Sequence, residues 1–268
     1  YNVTRIRAGM QYIVVNLISS FFFLMGIALI YCAAGTLNMA DLAARIPELG
    51  STDRVLLETG VAILAVAFLT KSAMWPLGFW LPNTYTAASP PVAAMLVLMT
   101  KIGVYVIMRL WLLLFSDAAG ESAGFGGQFL LFGGILTLAF GTIGLLASQE
   151  AGRMAGYSAI ISSGTLLAAV GYGQPELLSS ALFYLLSSTM AVATFMLLIE
   201  LIDRIRTPAA SMLALTMEAF AIDDASKPES AGVAIPAAMA FLGLTFAGCA
   251  LIMAGLPPLS GFIAKFSL

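Results

Sequence analysis

The sequence predicts an all-α fold: a polytopic transmembrane helix bundle in which two helices are broken and two parts of the chain are related as inverted repeats. Three observations lead there. Of the 268 residues, 60% are hydrophobic and only 10% are charged, whereas a soluble domain carries about 25% charged residues and needs them to cover its surface. Seven stretches come close to the roughly 20 apolar residues that span a bilayer. Two of those stretches are interrupted by prolines, a pattern that points to paired broken helices in repeated halves.

The seven segments run over about 11–34, 55–80, 90–115, 128–148, 154–172, 178–202 and from about 234 to the end of the sequence. None alternates apolar and polar residues over about ten positions, as a barrel strand does. An open sheet would leave its edges unsatisfied in lipid. The second segment is broken around Pro76 and Pro82, and the seventh around Gly255, Pro257, Pro258 and Gly261. Proline removes a backbone donor and clashes with the preceding turn. The carbonyls it frees need partners, so broken helices at membrane depth line cavities or sit inside the bundle. The chain opens Tyr-Asn-Val and stops at Phe-Ser-Leu within an apolar stretch; it is expected to be an internal piece of a longer protein.

Composition also excludes functions. There is no basic run with interleaved aromatics to suggest nucleic acid. Cys32 and Cys249 are far apart in apolar runs, and the sequence has no histidine, so neither a disulfide framework nor a metal or haem motif is present. No phosphate-cradling glycine loop or nucleophile elbow occurs, which leaves an ATP-driven pump or a membrane hydrolase without support. No cofactor and no metal site are expected, and the chain reads as a transporter rather than an enzyme.

The residues left to carry chemistry are three lysines in or beside the apolar segments. Lys101 lies about 11 residues into the third segment, roughly 15 Å deep at 1.5 Å per residue and close to the midplane. An ammonium there costs at least about 2.5 kcal/mol, and a buried lysine gives up its proton more readily than an exposed one. Lys71 lies in the second segment, five residues before Pro76, and Lys265 follows the second break. Both are read with Lys101 as a proton or cation pathway, the alternative being side chains that reach to the interface. Ser163, Ser187, Ser188 and Thr189 lie in apolar helices; they are a candidate polar path, and such hydroxyls also simply pack helices. Glu58, Glu150 and Glu200 read as flanking charges.

Several stretches resemble a known family. Lys71-Ser-Ala-Met-Trp-Pro-Leu-Gly-Phe-Trp-Leu-Pro82, Ala88-Ser-Pro-Pro-Val92 and Lys101-Ile-Gly-Val-Tyr-Val-Ile-Met-Arg109 carry most of the likeness. Gly35-Thr-Leu-Asn-Met-Ala-Asp-Leu42, Arg153-Met-Ala-Gly-Tyr-Ser158 and Gly255-Leu-Pro-Pro-Leu-Ser-Gly-Phe262 follow in the same order. Together they resemble the antiporter-like subunits shared by Mrp-type (Pha-type) multisubunit cation/proton antiporters and respiratory complex I. Gly-Thr-Leu-Asn-Met-Ala-Asp-Leu and Leu-Pro-Asn-Thr-Tyr are similar to the D branch of the Mrp-type subunits. Complex I relatives tend to have Asp-Ala-His after the Leu-Pro, a histidine at the place of Gly78 and a lysine or histidine in the sixth segment, where Ser187–Thr194 has neither; the family also often has a histidine where this chain has Ser162-Ser163.

The resemblance implies residues 1–116 as the latter part of a first inverted repeat and 117–268 as most of a second. It implies exchange of Na+ or K+ for H+ across a bacterial inner membrane, by a subunit that works with other membrane subunits of a hetero-oligomeric complex. Lys71 would answer a glutamate on a preceding helix, and Lys101 and Lys265 would continue the path. The alternative is a proton-translocating membrane subunit of a complex I-type NADH:quinone oxidoreductase.

Orientation follows from positive charge near helix ends. Arg5, Arg7, Arg153, Arg204, Arg206 and Lys227 fall on the N-terminal side; Arg45, Arg54 and Arg109 fall on the other. The polar stretch 203–233 is therefore predicted to face the cytoplasm, and residues 35–54 the periplasm. Single cysteines labelled from outside intact cells should react within 35–54 and not within 203–233; the reverse pattern would invert the assignment.

Overall fold

The computed structural model describes residues 3–174, 176–219 and 237–268, with side chains described throughout except at 203–219 and 237–239. The helices are α1 (Val3–Ala34), α2 (Met39–Arg45), α3 (Ser51–Lys71), α4 (Leu81–Ala87), α5 (Pro90–Leu114), α6 (Gly127–Ala147), α7 (Ala151–Tyr172), α8 (Leu177–Ala219), α9 (Ala237–Ala254) and α10 (Ser260–Phe266). Short 3-10 turns cover Ile46–Glu48, Leu77–Trp80 and Asp117–Ser122. No strand occurs among the described residues.

Among the described residues, five helical stretches are long and apolar enough to cross a membrane: Val3–Ala34, Pro90–Leu114, Gly127–Ala147, Ala151–Tyr172 and Leu177–Ile202. The sequence suggests seven. Helix α3 has the length, 21 residues, but carries Asp53, Arg54, Glu58 and Lys71, the first three within its first eight residues. The seventh segment is divided between α9 and α10. Two expected boundaries are corrected. Helix α1 begins at Val3 rather than near 11, and α8 continues to Ala219 where a polar connection over 203–233 is predicted. The run Ala-Ala-Ser-Met-Leu-Ala-Leu-Thr-Met-Glu-Ala is rich in strong helix formers, and that preference carries the helix on; positions 220–233 lie outside the described residues.

Lipid-facing positions are apolar. Leu17 is 71% exposed, Phe129 82% and Leu146 83%, which is unfavourable in water and suits hydrocarbon. Inside the bundle, helices meet where side chains are absent. Helix α6 packs along α7, and α1 along α3. A Cβ on Gly134 would come 2.4 Å from the Ala168 nitrogen, one on Gly171 2.2 Å from the Leu131 nitrogen, and one on Gly26 2.7 Å from the Leu64 nitrogen. With lipid as apolar as leucine, close backbone approach supplies the association that hydrophobic burial supplies in water.

Both proline-rich stretches interrupt a helix in the same way. Helix α3 ends at Lys71; Ala73 takes φ 59° and the Met74 N–H bonds back to the Leu69 carbonyl at 3.0 Å. Helix α9 ends at Ala254; Gly255 takes φ 77° and the Leu256 N–H bonds to the Leu251 carbonyl at 3.2 Å. These left-handed caps and long back-bonds close off orphan carbonyls at a helix end. In each case the chain turns back so tightly that a glycine is required: a Cβ on Gly78 would lie 2.3 Å from the Ala73 oxygen, and one on Gly261 1.9 Å from the Ile252 oxygen. Other freed groups find side chains. The Trp75 N–H donates to Thr137 Oγ1 of α6 at 2.9 Å, and Trp80 Nε1 donates to the Thr70 carbonyl at 3.2 Å.

One end of the bundle is held by polar loops. Asn38 caps α2 by accepting from the Ala40 N–H at 3.0 Å, and Arg45 bonds Asp41 at 3.0 Å. That guanidinium, with the Thr36 hydroxyl, holds the Asp41 carboxyl below the usual carboxylate range. Arg54 pairs with Glu121, and Ser122 donates to Glu58 at 2.8 Å. Arg5, Arg7, Glu150 and Arg153 line a polar recess of about 630 Å³ elsewhere.

Replacing Gly134 with valine forces α6 and α7 apart at their closest approach. The Gly134→Val variant of the full-length protein should lose about 1–3 kcal/mol of stability, measured as a lowered thermal midpoint in detergent. Gly9→Ala, where a methyl meets nothing within 4 Å, should stay within about 0.5 kcal/mol of the parent.

Candidate functional site

The site assembles where the α3–α4 break meets α5, α7 and α8. Proline at the first turn starts α5 without loss of an intrahelical bond. The helix then carries Thr100, Lys101 and Gly103 into the bundle, where all three are buried. Lys101 is 2% exposed. Its ammonium donates to the Ala159 carbonyl at 3.2 Å, to Ser163 Oγ at 3.2 Å and to Ser162 Oγ. All three acceptors belong to one turn of α7. Ser162 and Ser163 in turn donate to the Ala159 carbonyl at 3.0 and 2.9 Å. A charge in low dielectric persists only with such partners.

Lys71 is half-buried at the last position of α3. Its ammonium donates to Asn16 Oδ1 of α1. Asn16 is itself oriented, because its Nδ2 donates to the Tyr12 carbonyl at 2.6 Å. Gly103 lets α5 approach the lysine stem, since a Cβ there would lie 3.2 Å from Lys71 Cβ. Tyr12, Asn16, Lys71, Trp80, Thr100 and Gly103 line a cavity of about 190 Å³, room for several waters. On its wall, Thr100 Oγ1 and the Tyr85 hydroxyl of α4 bond at 2.7 Å.

Lys265, on α10, donates back across the second break to the Met253 and Ala254 carbonyls at 2.9 and 3.2 Å. A cation at a helix C-terminus satisfies both orphan carbonyls and the helix dipole. It also lines a cavity of about 440 Å³ together with Ser158, Ser162, Tyr184, Ser187 and Ser188. Ser187 bonds Ser260 at 3.1 Å across α8 and α10.

The structure therefore groups the residues singled out in the sequence unequally. Lys101 and Ser163 touch, and Lys265, Ser187 and Ser188 share one cavity. Thr189 does not join them: its hydroxyl bonds the Leu185 carbonyl of its own helix. Pro76, Pro257 and Pro258 all lie in the breaks. Four polar residues stand out only in three dimensions. Ser162 contacts Lys101 and faces the larger cavity, Asn16 holds Lys71, and Tyr85 pairs with Thr100. Asn16 carries a visible signal, as an amide in an otherwise apolar span. Ser162 is distinguished from Ser163 only by the direction in which each faces. Among the described residues no group of His, Cys, Asp or Glu side chains could hold a metal.

Such an arrangement has groups that can hold and pass protons. Lys101 is buried, Lys71 is half-buried and Lys265 is exposed at the second break, and a cavity lies beside each of the last two. Known proteins resemble the chain in sequence and fold. The chain is 59% identical over 265 residues to the D component of a probable K(+)/H(+) antiporter of Rhizobium meliloti, an alignment covering 98% of this chain and 49% of that protein. It is 33% identical over 265 residues to the D component of the Na(+)/H(+) antiporter of Bacillus subtilis, again with 98% and 49% covered. The chain thus spans about half the length of these curated relatives. Its fold matches a chain of the Mrp complex from Dietzia sp. DQ12-45-1b with a TM-score of 0.77 and 26% identity, covering 100% of this chain and 45% of that one. The family described as NADH:quinone oxidoreductase/Mrp antiporter, transmembrane, matches residues 1–268. This chain is a multi-pass bacterial membrane protein belonging to the NADH:quinone oxidoreductase/Mrp antiporter transmembrane family.

Proposed function

We propose that the chain forms the lysine-bearing part of an antiporter subunit that exchanges K+ or Na+ for protons, working with other membrane subunits. The observation that carries this reading is Lys101: an ammonium 2% exposed near the middle of a 25-residue apolar helix, answered only by neutral oxygens among the described residues. An unpaired charge at membrane depth is retained for transport more readily than for stability. The antiporter subunits among its relatives, the 59% identical one above all, support the exchange reading over a redox-driven pump.

In the proposed path, Lys71 holds a proton while a glutamate on a preceding helix, implied by the family resemblance, is charged. Neutralising that acid removes the attraction, and the two groups titrate as a pair. The proton moves toward Lys101, then by Ser162 into the cavity of Ser187, Ser188 and Lys265. The paired helix breaks support assigning residues 1–116 and 117–268 to two inverted repeats, as in transporters with midplane sites.

Lys71→Ala and Lys71→Arg should each abolish cation/proton exchange by the full assembly in everted vesicles while assembly stays intact. Arginine keeps its proton, so normal exchange by Lys71→Arg would show that charge alone suffices and that switching is not its role.

Lys101→Met replaces a buried charge with an apolar side chain of similar length, a change that is often neutral or stabilising. It should keep or raise the thermal midpoint of the full-length protein yet remove exchange. A lowered midpoint with exchange retained would make Lys101 structural.

A further inference from the structure

The proposed path leaves the stretch between Lys71 and Lys101 unassigned, since their ammonium groups face different neighbours: Asn16 of α1 and the α7 serines. We propose that the hydroxyl pair Tyr85–Thr100 is the relay that carries the proton from the Lys71 cavity to Lys101. This rests on the antiporter reading above and adds residues to it.

Four observations carry the assignment. Thr100 lines the same 190 Å³ cavity as Lys71 and Asn16, and it directly precedes Lys101 on α5. Its hydroxyl bonds the Tyr85 hydroxyl at 2.7 Å, and either oxygen can donate. Both side chains are 2% exposed, so the pair is shielded from lipid and solvent. Tyr85 reaches it from α4, which also packs against α7: a Cβ on Gly156 would lie 3.6 Å from the Tyr85 ring, and Gly156 is one turn from the Ala159 carbonyl that receives Lys101. The pair thus stands where α4, α5 and α7 meet, with Thr100 on the cavity wall and next in sequence to Lys101.

A structural role alone explains the geometry less well. Thr100 already has an acceptor, the Leu96 carbonyl of its own helix at 3.0 Å, as Thr84 has in the Trp80 carbonyl at 2.7 Å. The second bond to Tyr85 gives Thr100 what Thr84 lacks among the described residues: a hydroxyl neighbour through which O–H bonds can reverse direction. The step balances. Lys71 loses a proton to cavity water, each hydroxyl accepts one proton on a lone pair as it releases its own, and the Lys101 amine gains the last. Both hydroxyls are neutral before and after, and no oxidant or cofactor takes part.

The test uses the complete antiporter assembly in proteoliposomes, with exchange driven by a pH gradient and read as an initial rate in H2O and D2O. Tyr85→Phe and Thr100→Val keep the shape and remove one hydroxyl each. Each should slow exchange at least about tenfold with the cation KM unchanged and should alter the solvent isotope effect, while Thr100→Ser should recover most of the rate lost in Thr100→Val. Thr84→Val, which removes a hydroxyl bonded among the described residues only to the Trp80 carbonyl one turn before it, should exchange at the parent rate. Should Tyr85→Phe and Thr100→Val both exchange at the parent rate with the parent isotope effect while Lys101→Met is inactive, the relay is wrong and the lysine path stands. If Lys101→Met is itself active, the lysine path fails. A rate lost in Thr100→Val and not regained by Thr100→Ser would also overturn the relay, because it would tie the loss to packing.

Discussion

An ammonium in a hydrocarbon interior must be surrounded by oxygen atoms, and the fold can be understood as the way this chain meets that demand. Lys101 sits among apolar neighbours such as Val97, Val104 and Met108, all 1% exposed or less. Its oxygens therefore have to come from another helix. Helix α7 supplies them from a single turn, and α7 is in turn fixed by its glycine-lined contact with α6. Small residues, close helix approach and a buried charge are links in one chain of dependence. Remove the glycines and the serines no longer stand where the charge needs them.

The same demand explains why the helices break where they do. A continuous α-helix spends its carbonyls on itself. At the two interruptions, carbonyls and amides are released, and the structure pairs them with side chains: Thr137 for Trp75, Trp80 for Thr70, Lys265 for Met253 and Ala254. Each break is a place where polar backbone lies inside the bundle without being orphaned, beside a cavity large enough for water. Irregular backbone at membrane depth is tolerated under those conditions.

Much of this is legible in the amino-acid sequence. The apolar segments, the proline interruptions and the lysines Lys71 and Lys101 inside apolar spans follow from composition, length and the cost of charge in lipid. What a linear reading misses is which face of a helix each hydroxyl occupies. Ser163 is visible as a polar residue in an apolar run; its neighbour Ser162, equally visible, is the one that faces the larger cavity. Thr189 has the same setting in the sequence yet turns onto its own backbone, as hydroxyls in helices commonly do. Asn16 and Tyr85 gain meaning from partners 55 and 15 positions away. Nor does polarity reveal that α8 continues past 202, because helix propensity there outweighs the scattered charges.

The placement of all three Lys101 acceptors on one turn of α7 has a mechanical corollary. In a helix, one residue corresponds to a rotation of about 100°. Turning α7 by that amount about its own axis would swing the Ala159 carbonyl, Ser162 and Ser163 out of their present places around Lys101. The charge therefore acts as a key cut for a single angular setting of α7.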